Sequence, residues 1–195
     1  MAVQSNVAFK EWAVVVEALA QGEQILILRK GGIRERRGQF DVDHREFWLF
    51  PTQYHEDERS VIPSKRPALK ALAAAAPQNA VDIQFYAVAE PVLTIADPAV
   101  LPRLQGRHIW AEPVLAQRFE FGREPGLHAL VTRIYRRPAP ERLPLRDSYG
   151  GCKSWIELER PLSTAGLTPV LSDAEFAAQS DEICELLGTH ALSHP

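Results

Sequence analysis

The order of apolar and polar positions divides the chain into alternating helical and extended stretches. From Ser5 or Asn6, either of which suits an N-cap, Phe9, Trp12, Val15, Val16 and Leu19 recur at helical spacing, while Lys10, Glu11 and Glu17 fall on the polar side. This predicts an amphipathic first helix, with Gly22 at its C′ position. Ile25 to Leu28 is a short apolar run rich in branched side chains, which predicts a strand covered on both faces that releases Arg29 and Lys30 at its end. Glu46 to Phe50 predicts a second, aromatic strand that Pro51 stops, because proline has no N–H to give to a ladder. Between the two strands, Arg29 to Arg45 reads as an exposed charged connector containing Gly31, Gly32 and Gly38.

Further along, Pro63 to Pro77 predicts a short alanine-rich helix with Leu69 and Leu72 turned inward. Val81 to Ile95 alternates in part and reads as a strand that Pro91 bends or ends, and Asp97-Pro98 opens a helical turn. Between Arg107 and Phe121 helix and strand are not separable, because His108 to Trp110 looks extended while Val114 to Phe121 fits either period. Leu127 to Arg137 is apolar on both faces, as an interior strand is, and Pro138 to Pro144 reads as a connector. A glycine turn at Ser148 to Ser154 enters another strand through Leu158, and Ser172 with Glu175 forms a capping box ahead of a helix carrying Phe176, Ile183, Leu186 and Leu187 and ending at Gly188. The pattern as a whole predicts an α+β fold. A mixed or antiparallel sheet is accompanied by an N-terminal amphipathic helix, a short middle helix and a C-terminal capping helix. It forms one globular domain over 1–190, with 191–195 as a frayed tail.

Composition narrows the picture only a little. A chain of 195 residues, 46% hydrophobic and 24% charged, is ordinary for a globular protein, and its 15 prolines against 11 glycines suit many short elements. The formal net charge of −3 gives no global basic field, yet Arg29 to Arg45 holds six basic residues (29, 30, 34, 36, 37 and 45) against Glu35, Asp41 and Asp43. That segment is either a solvated loop with self-pairing charges or a loop that touches phosphates. The two cysteines lack metal-ligand spacing, and neither a leader nor a membrane-length apolar run is visible, so a cytoplasmic location with no membrane contact is expected.

Candidate chemistry is sparse. No phosphate loop ending in Gly-Lys-Ser or Gly-Lys-Thr occurs, and the residues two before Lys10, Lys30, Lys65, Lys70 and Lys153 are Ala8, Leu28, Pro63, Ala68 and Gly151, which excludes the ordinary PD-(D/E)xK nuclease motif. His44, His55, Glu46 and Glu56 lack regular ligand spacing, so no metal and no cofactor is expected. Cys152 beside Lys153 has the surroundings of a nucleophile but is read as a turn residue, and Cys184 falls on an apolar helix position. The expected ligand-binding set is Arg29, Lys30, Arg34, Arg36 and Arg37 from the basic connector with Trp48, Thr52, Tyr54 and His55 from the aromatic strand and its exit.

Taken together, Glu11-Trp12-Ala13, Leu28-Arg-Lys-Gly-Gly-Ile33, Phe47-Trp-Leu-Phe-Pro-Thr52 and Tyr149-Gly-Gly-Cys-Lys-Ser-Trp155 resemble the bacterial domain-of-unknown-function family numbered 1802, through most of the chain. The resemblance implies no assigned activity, and some members accompany restriction-endonuclease domains of the Mrr type. A second resemblance is to the ASCH division of the PUA-like fold, whose signature is an amphipathic helix followed by Gly-x-Lys-x-x-Glu-x-Arg. Gly22 and Arg29 match it, while Gln24 stands at the lysine position and Ile27 at the glutamate. It implies a PUA-like open barrel with a cleft for RNA or a modified base, and the two departures fall at the lysine and acid with which some relatives perform amidohydrolase chemistry, while the helix, glycine and strand order is kept. The leading expectation is therefore a non-catalytic nucleic-acid or modified-base binding module, accessory to a restriction or defence system and to an endonuclease-type protein partner. A small hydrolase of modified bases or nucleosides and a protein-interaction module are the alternatives.

Overall fold

The computed structural model of the chain describes residues 3–30, 33–36, 39–42, 44–53, 57–151 and 153–188, with backbone alone for 33–36 and 39–42. In chain order, β1 (Gln4–Trp12) leads into α1 (Ala13–Ala20), β2 (Leu26–Arg29), β3 (Ile33–Arg36), β4 (Gln39–Val42) and β5 (Glu46–Thr52). Then come α2 (Arg66–Ala75), β6 (Ala80–Ile95), a 3-10 stretch Pro98–Leu104, α3 (Glu112–Glu120), β7 (Leu127–Pro144), β8 (Trp155–Ser163), β9 (Thr168–Pro169) and α4 (Asp173–Leu186). The main sheet runs β2-β7-β6-β5-β1-β8, with β9 on β7. Only β1 and β5 pair parallel; the other pairings in this sheet are antiparallel. The fold is α+β with a mixed, mostly antiparallel sheet, as the pattern predicts.

Curvature of that sheet is what creates a site. β1 and β2 lie four strand steps apart, roughly 19 Å if the sheet were flat. An Arg29 guanidinium nitrogen nevertheless comes within 3.0 Å of Ser154 Oγ, just before β8, and the Arg29 guanidinium lies 4.7 Å from the centre of the Phe9 ring on β1. No arginine side chain spans a flat sheet, so the sheet is curled into an open barrel. The long strands β6 and β7 carry the bend, and their register shifts at Ile83/Phe85 and at Ala89/Val92, on either side of Pro91.

Both faces of the sheet are covered. Phe9, Phe47, Leu49, Ala87, Ala89 and residues of β2, β7, α1 and α3 make one core; Ala8, Trp48, Phe50, Tyr86, Ile156, Leu158 and Leu162 make another. Successive strand residues point to opposite faces, so a strand buried on both sides reads as a continuous apolar run.

That property accounts for the first of three corrections. Residues 4–12 form a strand and not the first half of a helix: Ala8 and Phe9 serve the two cores, and a strand apolar on both faces mimics helical spacing. Trp12, not Ser5 or Asn6, is the N-cap of α1, and every residue of α1 except Glu17 is buried. Pro51 does not end β5, because it pairs only with the parallel neighbour β1, opposite Glu11, beyond the part of β5 that β6 covers. The expected connector Pro138 to Pro144 is the second half of β7, paired with β6 at the far end.

Elsewhere the local signals match their elements. Gly22 adopts φ +70 after α1, where a Cβ would meet Leu171 Cδ2 at 2.6 Å, so both the conformation and the space demand glycine. Asp97 accepts a hydrogen bond from the Ala99 N–H at 2.9 Å, and Ser172 with Glu175 closes a complete capping box on α4. Cys184 is buried, as expected, whereas Cys152 and the expected frayed tail 191–195 lie outside the described residues. The open segment 107 to 121 resolves into an extended stretch, in which Trp110 bridges Val61, followed by α3. Among the described residues no helix is long and apolar enough to cross a membrane.

Candidate anion and nucleic-acid site

The C-terminal ends of β1 and β2 meet α3 at the mouth of the barrel. β1 alternates, so Glu11 shares the inward face of Phe9 and is 1% exposed, a carboxylate that burial would penalise without partners. Its Oε1 accepts from the Trp12 N–H at 2.8 Å, and its Oε2 lies 3.5 Å from the Arg29 guanidinium. Arg29 also donates to Ser154 Oγ at 3.0 Å and to the Lys10 carbonyl at 3.3 Å, and stacks over Phe9. Lys10 in turn donates to the carbonyls of Tyr149 at 2.8 Å and Gly151 at 2.7 Å, which ties the turn before β8 to β1.

A second guanidinium completes the group. Arg118 on α3 lies flat over Trp110 at 3.7 Å and 5.8 Å from the centre of Trp12, and the two indoles meet edge to face at 4.9 Å. Among the described residues it has no hydrogen bond and no ion pair. Its pKa is held below the usual arginine value, first by burial; Glu11 opposes the shift and Arg29 reinforces it. Glu11 thus pairs with Arg29, while the Arg118 guanidinium, near both, presents a planar fork of donors with no acceptor among the described residues. Such a fork suits phosphate or carboxylate oxygens.

The expected binding residues divide accordingly. Arg29 is in the site. Lys30 is beside it but acts as a clamp: its ammonium donates to the carbonyls of Phe119 at 2.9 Å and Gly126 at 3.0 Å, and to that of Glu124, closing the turn after α3. Trp48 is not in the site and is corrected to core, because its side chain lies on the opposite face of β5 from Phe47. It is 0% exposed, donates from Nε1 to the Ser5 carbonyl at 2.9 Å and packs on Tyr86 at 4.8 Å. The aromatic neighbours of Arg29 are instead Phe9 and, through it, Phe47 and Trp155. Thr52, opposite Trp12 at the end of β5, lines a cavity of about 290 Å³ against α2 together with Gln53 and Leu72.

Arg34 and Arg36 lie on β3, where they stand opposite Asp41 and Gln39 of β4 in an antiparallel hairpin, so the connector is partly strand. Arg37, Tyr54 and His55 lie outside the described residues. Among the described residues no group of His, Cys, Asp or Glu is placed to hold a metal ion. Gln24, at the lysine position of the ASCH signature, is buried: its Nε2 donates to the Leu26 carbonyl and its Oε1 accepts from the Ile109 N–H at 3.1 Å, tying β2 to the segment before α3.

Glu11, Arg118, Trp12, Trp110 and Ser154 escaped the sequence reading. Glu11 had a usable signal: in a strand it sits two residues from Phe9 on a buried face, where an acid needs a cation. Arg118 had none, since nothing local marks an arginine far along the chain as its neighbour.

The chain matches the family model described as Domain of unknown function (DUF1802) over residues 8–182. No curated protein matches it. Among solved structures, the ASCH protein from Zymomonas mobilis aligns with a TM-score of 0.44 and 13% identity, covering 92% of this chain and 94% of that chain. A mutant of the same protein aligns with a TM-score of 0.45 and 14% identity, covering 82% and 92%. Both resemblances carried by the sequence motifs thus recur among these matches.

Proposed function

The chain belongs to the DUF1802 family, whose name assigns no activity, and we propose that it is a non-catalytic nucleic-acid-binding module that grips a phosphate at Arg29 and Arg118. The observation that carries this reading is the Arg118 guanidinium, stacked on Trp110 and without an acceptor among the described residues, beside an Arg29 already oriented by Glu11 and Ser154. A planar cation prepaid in its orientation loses little rotamer freedom when an anion arrives. The basic hairpin follows in the chain directly after Lys30, so further phosphate contacts would extend from the same mouth. An accessory role beside a restriction endonuclease is the finer form of this reading, and its support is the motif resemblance alone.

The test is fluorescence anisotropy with labelled oligonucleotides across a salt series. Arg118→Gln removes a charge-assisted contact worth about 1.5–3 kcal/mol and should weaken binding roughly ten-fold or more. The slope of log affinity against log salt should flatten by about 0.7 for single strands. Wild-type protein that binds no oligonucleotide at low salt overturns the reading.

A further inference from the structure

We infer that Phe121 is a base-stacking platform that directs this site toward unpaired nucleic-acid strands, an inference that rests on the nucleic-acid reading above. Phe121 is 72% exposed, in a protein whose other phenylalanines with described burial are buried or half-buried. A soluble protein exposes single apolar residues routinely, so the position of this one is what matters.

Phe121 is the C-cap of α3, its N–H donating to the Arg118 carbonyl at 3.3 Å, so it follows by one turn of chain the arginine whose guanidinium has no acceptor among the described residues. The following residue, Gly122, has φ +94, and a Cβ there would lie 3.8 Å from Lys30 Cε. The Lys30 ammonium gathers the carbonyls on both sides of this turn, and the Gly126 N–H donates back to the Phe119 carbonyl at 2.9 Å. Phe121 is therefore mounted on a turn pinned by Lys30, with Arg118 three residues before it in the chain and the exposed Arg123 two residues on.

An exposed aromatic face set among cations is the arrangement that binds single strands: the cations follow the backbone while a base stacks on the ring, whatever its sequence. In a duplex the faces of the bases are occupied by their neighbours, so a stacking ring gains nothing there. A strand whose phosphate sits on Arg118 brings an adjoining base toward Phe121.

Anisotropy titrations at low salt with three probes test this: a deoxythymidine oligomer, its duplex with a deoxyadenosine oligomer, and an abasic strand of the same length and charge. Phe121→Ala should weaken binding of the deoxythymidine strand about ten-fold while leaving the abasic strand and the duplex unchanged, and Phe121→Trp should restore it with quenching of the new indole by the bases. Equal binding of the deoxythymidine strand by Phe121→Ala and wild type overturns the stacking role and leaves the phosphate site standing. An equal loss for the thymidine and abasic strands also overturns it, since a base contact cannot affect a strand without bases. Wild-type protein that binds none of the three probes overturns the nucleic-acid reading itself.

Discussion

Replacing Glu11 by glutamine isolates the charge that organises the mouth of the barrel. Glutamine keeps the volume and retains an oxygen for the Trp12 N–H, so neither a cavity nor a lost cap accompanies the change. What disappears is the attraction to Arg29, which at 3.5 Å amounts to roughly 5 kcal/mol gross at an effective dielectric of about 20. Against this, the neutral side chain is cheaper to bury, and Arg29 keeps Ser154 Oγ and the Lys10 carbonyl. Breaking a fully buried pair costs about 3–5 kcal/mol; with Arg29 21% exposed, a loss of about 2–3 kcal/mol is expected. For a chain of this size that corresponds to a fall in Tm of roughly 4–12 °C at neutral pH, read by circular dichroism. The mouth also gains one positive charge, so oligonucleotide affinity at low salt should hold or rise. A Tm within about 1 °C of wild type would refute the ion-pair reasoning. So would lost binding at unchanged stability, which would make Glu11 a ligand contact instead of a support for Arg29.

Trp48→Phe should lower stability by about 1–3 kcal/mol in urea unfolding, through the unpaired Ser5 carbonyl and the lost contact with Tyr86, with no change in oligonucleotide affinity; weakened binding at unaltered stability would return Trp48 to the site. His108 is buried, neither of its ring nitrogens has a hydrogen-bond partner among the described residues, and burial pushes its pKa down to about 4. Because the unfolded chain then binds a proton that the folded chain resists, stability should be lost as pH falls from about 6.5 to about 4, by up to roughly 3 kcal/mol. His128, also lowered by burial and by Lys30, adds to the loss in the same direction. Thermal melts of His108→Phe against wild type should show a shallower acid limb, and identical limbs would refute the assignment.

What could be read from the sequence was whatever neighbouring residues decide among themselves. The capping box at Ser172 and Glu175, the Asp97 cap, the left-handed Gly22 and the buried run at Leu26 to Leu28 each depend on contacts within a few residues, and each stands as expected. The α+β class and the family motifs follow from the same local information. β1 was not legible because a strand buried on both faces loses the alternation that marks a strand, and the second half of β7 was not because it is mostly exposed and carries three prolines; the pairing partners of both lie far along the chain. For Trp48 the aromatic strand was visible but not its phase: one residue decides which face a side chain joins, and only the sheet's position between two cores decides which face is open. The site depended on tertiary structure most of all. Glu11, Arg29 and Arg118 come from β1, β2 and α3, and they meet because the sheet curls until strands four places apart face each other. The sequence supplied the cations and the aromatics, but which cation lacks a partner among the described residues is a property of the curled sheet, since it depends on where the buried Glu11 carboxylate lands.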